Sequence, residues 1–199
     1  MSEPTSPEPV QAVVIGASAG AVDALLQILP QLPEDYPLAL LIVVHLPPDS
    51  ESTLVELLET RCQITVKEAE DKEILRPGIA YLAPPNYHLL VEPNFELSLS
   101  SEEPVLFCRP AIDLLFESAA DAFGSSVIGI VLTGANSDGA NGLRAIHDAG
   151  GAAYVQDPAD ADAEVMPRAA LAACPDAQVL TLAQVIDLLM CQYRRSLLS

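Results

Sequence analysis

Three stretches of this chain are apolar at nearly every position: AVVIGAS from Ala12, LALLIVVH from Leu38 and SSVIGIVLT from Ser125; a fourth, GAAYVQDP from Gly151, reads as a strand closed by Asp-Pro. A strand with one wet face alternates apolar and polar residues. A run that is apolar throughout must be covered on both faces, which points to a parallel sheet between two layers of helices. Segments of helical spacing fit between and after these runs. They are expected from about Val22 to Leu29, Ser52 to Arg61 (opened by Ser/Thr caps), Ala111 to Phe123 with Pro110 at the first turn, Asp138 to Ala149, Met166 to Ala173 and Leu182 to Tyr193. Val179–Leu180 reads as a short last strand. From Ile64 to about Ser101 the pattern changes to short runs broken by PG, PPN and PN turns, which predict hairpins rather than crossover helices. The expected fold class is α/β: a doubly wound, mostly parallel sheet with helices on both faces and a short antiparallel insertion around 64–101. Residues 1–10 read as a disordered Pro-, Ser- and Glu-rich tail, and 11–199 as one domain.

Composition narrows the partners. With 28 acidic and 9 basic residues the formal net charge is −19. Such a surface repels phosphate backbones and anionic bilayers, so neither nucleic acid nor direct membrane insertion is expected. The longest aliphatic stretch, 38–44, is too short to span a bilayer, and the N-terminus has neither the basic nor the apolar region of a signal peptide. Cys62, Cys108, Cys174 and Cys191 form no CxxC pair and have no histidine at metal-ligand spacing. A cytoplasmic protein with reduced thiols and no metal or organic cofactor is therefore expected.

In a doubly wound sheet, ligands bind beyond the carboxyl ends of the parallel strands. The first apolar run leads into Gly16-Ala17-Ser18-Ala19-Gly20, the second into His45, and the third into Thr133-Gly134-Ala135-Asn136-Ser137-Asp138-Gly139. A hydroxyl, an imidazole and a carboxylate thus leave the sheet along one rim. Serine is a poor nucleophile until a base takes its proton, imidazole titrates near neutrality, and a carboxylate fixes the imidazole's tautomer. The candidate triad is Ser18, His45 and Asp138. Gly16-x-Ser18-x-Gly20 matches the small-residue elbow of serine hydrolases, but the order Ser, His, Asp disfavours an ordinary lipase or esterase fold, where the acid precedes the histidine. The amides of Ala19 and Ala135 are candidate oxyanion donors. Each residue has a plainer reading beside this one. Ser18 also suits a helix N-cap or a phosphate-binding turn, Asp138 an N-cap, and His45 a strand end. His88 and Arg109 are candidate substrate contacts, equally readable as a loop histidine and a structural ion pair. Asp157 is a reserve acid, and His147 a surface residue.

The blocks GASAGAVDAL, VVHLPP, KEAEDKEILRPGIAYLAPPNYH, CRPAIDLLFES, GIVLTGANSDGANGL and MPRAAL, in this order from Val13 to Leu189, resemble the catalytic domain of the chemotaxis protein-glutamate methylesterases (CheB type). The resemblance implies hydrolysis of glutamate γ-methyl esters on methylated chemoreceptors with release of methanol, and in some members deamidation of receptor glutamines. It places nucleophile, base and acid on Ser18, His45 and Asp138. The family's usual GASTGG reads GASAGA here, its Met before the acid is Ala135, and a common Ser after Arg-Pro is Ala111. Ala19, Ala21 and Ala135 motivate an alternative, a catalytically impaired module that binds receptor or partner without turnover. Typical members also carry an N-terminal phospho-receiver domain; the expectation here is a methylesterase domain without one. A nucleotide-binding module is a third reading, but Ala21 and Val22 break the full GxGxxG spacing and no acid closes the second strand.

Overall fold

A computed structural model describes residues 11–46 and 51–198. The tail expected at 1–10, Pro47 and Pro48 of the second motif, and the side chain of the expected cap Ser52 lie outside the described residues. Nine strands and six α-helices are described: β1 (Ala12–Ala17), α1 (Ala21–Ile28), β2 (Ala39–Val44), α2 (Glu51–Glu59), β3 (Thr65–Glu68), β4 (Ile79–Leu82), β5 (His88–Val91), β6 (Leu97–Ser100), α3 (Ile112–Phe123), β7 (Val127–Val131), α4 (Ala140–Asp148), β8 (Ala152–Gln156), α5 (Val165–Ala173), β9 (Gln178–Leu180) and α6 (Leu182–Ser196).

Seven strands form one parallel sheet in the order β3-β4-β2-β1-β7-β8-β9. The apolar runs are explained by how their side chains divide. Val13, Ile15 and Ala17 of β1 enter one core with Leu25 and Ile28 of α1 and Val185 and Leu189 of α6. Ala12 and Val14 enter the opposite core with Leu115 and Phe116 of α3, Leu143 of α4 and Met166 of α5. Both faces of β1 are dry, so no position in it can be polar. Each fully buried Leu or Ile contributes about 1.5–3 kcal/mol.

Antiparallel pairing is narrower than the expected 64–101. It is confined to the β5–β6 hairpin and isolated bridges, while β3 and β4 join the parallel sheet. The connection between β3 and β4 contains no helix; it runs beside the hairpin instead, where Lys72 N donates to Leu97 O and Leu97 N to Glu73 O. Backbone groups that a crossover helix would satisfy internally are satisfied by the hairpin. A hairpin-edged crossover and a meander carry the same turn punctuation, so the short turns do not distinguish them.

The chain leaves the centre through β2 and returns to it at β7, so β1 lies between β2 and β7. This is the switch point of the topology, where a crevice opens at the carboxyl ends.

Candidate active site

Backbone bonds set the frame. Ala17 of β1 lies in register with Val44 of β2, and His45 N donates to Ala17 O at 3.1 Å. On the other side Ser18 N donates to Thr133 O at 2.9 Å. Ser18 and His45 are therefore the first residues past two adjacent strands, which run about 4.8 Å apart. Gly20, at φ 83°, is the N-cap of α1 and takes the left-handed conformation that L side chains resist, turning the chain sharply after Ala19. Ser18 is thus not the N-cap, and its hydroxyl makes no hydrogen bond among the described residues.

Asp138 does not cap its own helix either; Gly139 does. The fully buried Asp138 carboxylate instead reaches the start of α3, accepting from Ile112 N at 2.7 Å and Asp113 N at 2.9 Å. Gly16 permits this approach, since a Cβ there would lie 2.3 Å from Ile112 Cγ2. Asp113 answers from the first turn of α3, its Oδ1 accepting from Gly142 N of α4 at 2.8 Å. Burial first, and the Asp138 charge less strongly, push the Asp113 carboxyl up against the hydrogen bonds from Gly142 and Asn141 that lower it.

His45 Nε2 lies 2.9 Å from Asp138 Oδ2. The oxygen sits off the direction of the ring N–H, so the contact is a close polar approach without an aligned hydrogen bond, and becomes an ion pair only when the ring is protonated. The other ring nitrogen, Nδ1, faces Asn136 Nδ2 at 3.1 Å and Cys108 Sγ at 3.8 Å. Asn136 Oδ1 accepts from Asp138 N at 3.1 Å, which fixes its amide NH₂ toward the ring. Nδ1 is accordingly the acceptor nitrogen and Nε2 carries the proton toward the acid. The Cys108 thiol is pushed up by burial and by the Asp138 charge, so it stays protonated at neutral pH and is a weak nucleophile.

The amides of Ala19 and Ala135 have no hydrogen-bond partner among the described residues, and both residues are exposed. The elbow is held from behind by Thr133, whose hydroxyl donates to Ala19 O at 2.7 Å and accepts from Ala163 N at 2.9 Å. Thr133 N in turn donates to Oε1 of the buried Gln156 at 2.9 Å.

The remaining expectations fall elsewhere. His88 does not reach the crevice as a substrate contact: it is fully buried, with Nδ1 accepting from Ala111 N at 3.1 Å and Nε2 facing Glu103 O at 3.2 Å. Arg109 donates from Nη1 to Ser101 O and Glu102 O, each at 3.0 Å, and so ties down its own loop rather than pairing with an acid. Asp157 accepts from Ala159 N within its own turn, and His147 is a half-exposed surface residue. All four cysteines are free. Sequence reasoning missed Thr133, Asn136, Cys108 and Asp113. All four stand inside motifs already singled out, but no spacing rule ties them to His45 or to Asp138. One ligand atom each from His45, Cys108 and Asp138 lies within 4.8 Å of the others, the one group among the described residues able to hold a metal. A cation there would occupy the imidazole of the candidate triad. Among the described residues no helix is long and apolar enough to cross a membrane.

The pattern of the CheB methylesterase family matches residues 13–189. The chain is 46% identical over 178 residues to a putative protein-glutamate methylesterase/protein-glutamine glutaminase of Leptospira interrogans serovar copenhageni, covering 89% of this chain and 92% of that one. It is 40% identical over 183 residues to the protein-glutamate methylesterase/protein-glutamine glutaminase of Pectobacterium atrosepticum, where it spans about half (52%) of the relative. The fold is similar to the Thermotoga maritima CheB methylesterase catalytic domain, with a TM-score of 0.86 and 32% identity over 90% of this chain and 97% of that one.

Proposed function

The chain belongs to the CheB methylesterase family, and from that premise we propose that residues 11–199 hydrolyse glutamate γ-methyl esters on methyl-accepting chemotaxis receptors in the cytoplasm, with Ser18, His45 and Asp138 as the triad. Ser18 Oγ attacks the ester carbonyl carbon while His45 Nδ1 takes its proton, displacing the Asn136 amide that occupies that nitrogen. The carbonyl π electrons move to oxygen, where the Ala19 and Ala135 N–H groups stabilise the oxyanion. Collapse breaks the bond to methoxide, which leaves as methanol with the proton from His45. Water, deprotonated by the same imidazole, then cleaves the acyl-enzyme to free Ser18 and a glutamate carboxylate. Asp138, fixed by two α3 amides, holds the ring and balances the imidazolium. A glutamine amide fits the same sequence, with ammonia as leaving group.

The observation that carries this reading is the His45–Asp138 pair at 2.9 Å, one residue past the strand end that neighbours Ser18. The departures at Ala19 and Ala135 keep both backbone amides, so a catalytically impaired binding module is not favoured. Ser18→Ala is expected to lower methanol release from methylated receptor at least ~10³-fold while leaving the fold intact. A fluorophosphonate is expected to label wild type once, at Ser18. Wild-type release by the Ala variant would refute the assignment.

A further inference from the structure

Val105 N donates to Cys108 O at 3.1 Å and Cys108 N to Val105 O at 2.8 Å, closing a two-residue hairpin turn over Leu106 and Phe107. Both central residues have positive φ, 49° and 65°, the signature of a type I′ turn. Asn-Gly is the favoured pair in such a turn because L side chains with a Cβ resist this region. Leu and Phe are poor choices on that count, and poor again on solvation, for Leu106 is 49% and Phe107 102% exposed. Neither side chain repays its placement within the fold. Local strain combined with a displayed aromatic points to a use outside the fold.

The position of the turn narrows that use. Cys108, which closes it, lies against Nδ1 of His45 at 3.8 Å. Its base is pinned by Arg109, which donates to Ser101 O and Glu102 O, and by His88, which holds Glu103 O and Ala111 N. The tip is thus an apolar finger held on a fixed base at the rim of the candidate active site. A formal net charge of −19 offers no general electrostatic pull on a substrate that gains a carboxylate at every turnover. Apolar contact by an exposed Leu-Phe pair beside the site supplies an attraction that this charge does not oppose.

We infer that Leu106 and Phe107 form a docking finger that packs on apolar side chains of the substrate polypeptide flanking the esterified glutamate, so that affinity comes from this contact. The inference rests on the methylesterase reading and adds to it the element that grips the substrate. The test is binding of a methyl-esterified cytoplasmic fragment of a chemoreceptor to the Ser18→Ala protein, with and without Leu106→Asn plus Phe107→Gly. The Asn-Gly pair keeps the turn and removes the finger, so Tm is expected to hold or rise while Kd weakens at least tenfold. Phe107→Ala, which deletes only an exposed ring, is expected to weaken Kd at least fivefold without lowering Tm. Absence of binding by the Ser18→Ala parent, or a Kd within twofold of it in both variants, overturns the inference. Methanol release by wild type is scored separately. Release with unchanged binding removes the finger and leaves the esterase, whereas weakened binding without release removes the esterase and leaves the finger.

Discussion

The Thr133 hydroxyl has one proton and two lone pairs, and it spends them on the two backbones that meet behind Ser18. Donation to Ala19 O fixes the Ala19–Gly20 peptide, one beyond the peptide that follows the nucleophile, and acceptance from Ala163 N ties it to the loop before α5. The Ala19 N–H, a proposed oxyanion donor, lies in the preceding Ser18–Ala19 peptide, whose carbonyl accepts from Ala21 N at 2.9 Å, so a side chain far away in sequence anchors the peptide next to the one that carries the donor. Thr133→Val keeps the shape and deletes the hydroxyl, leaving Ala19 O and Ala163 N unsatisfied. Urea unfolding is expected to register a loss of about 1–3 kcal/mol. Single-turnover methanol release is expected to slow ~10–100-fold, because small misplacements of catalytic donors are costly. Thr133→Ser supplies the same proton and lone pairs, and is expected to recover most of both. A Val variant with wild-type turnover would show that the elbow is held without this bond.

Between α3 and α4 the two carboxylates are exchanged. Asp138, just before α4, serves the first amides of α3, and Asp113, in the first turn of α3, serves Gly142 N of α4. Each helix start is thus completed by an acid from the other, and the pairing positions the proposed triad acid. Helix starts favour negative charge, yet burial keeps the Asp113 carboxyl above its ordinary value. The sign follows from linkage. In the pH interval between the unfolded and the raised folded pKa, the folded state binds the proton more tightly, so stability falls as pH rises through that interval. The cost is absent below the ordinary carboxylate pKa and complete above the folded one. Asp113→Asn cannot ionise and escapes it. Urea midpoints at pH 4 and pH 7 are expected to show the variant gaining on wild type as pH rises, whatever the offset at pH 4. An equal offset at both pH values would contradict the burial argument.

Across the whole molecule the excess of 28 acidic over 9 basic residues is self-repulsion that the core must outweigh. Among the described residues, ion pairs by distance join Asp138, Glu70, Glu73, Asp148 and Glu164 to Lys67, Arg144, Arg168 and two histidines. Raising sodium chloride from low concentration to 0.5 M shortens the Debye length to roughly 4 Å and screens that repulsion. Tm is expected to rise by about 3 °C, equivalent to ~1 kcal/mol for a chain of this size. A flat or falling Tm in a salt titration would mean that the surface charges are already compensated.

Much of the fold was legible before any coordinates. An uninterrupted aliphatic run admits few environments, and β1, β2 and β7 lie where their runs predict; β8, whose run carries Tyr154 and Gln156, and all six helices also lie within a few residues of expectation. Helix caps are less legible. Ser18 and Asp138 both suit an N-cap by residue type, whereas glycines take those places, and α6 opens on a capping box of Thr181 with Gln184. The rim carrying Ser18, His45 and Asp138 could be inferred because strand ends in a parallel sheet must share an edge. Sequence order could not say that Asn136 takes the ring nitrogen facing away from the acid, that His88 is buried among backbone amides, or that Asp138 completes a helix 26 residues before it. Periodicity is a property of neighbours along the chain, and it determines which segments are buried. Hydrogen-bond partners are settled by which segments pack together, and only the folded molecule specifies that.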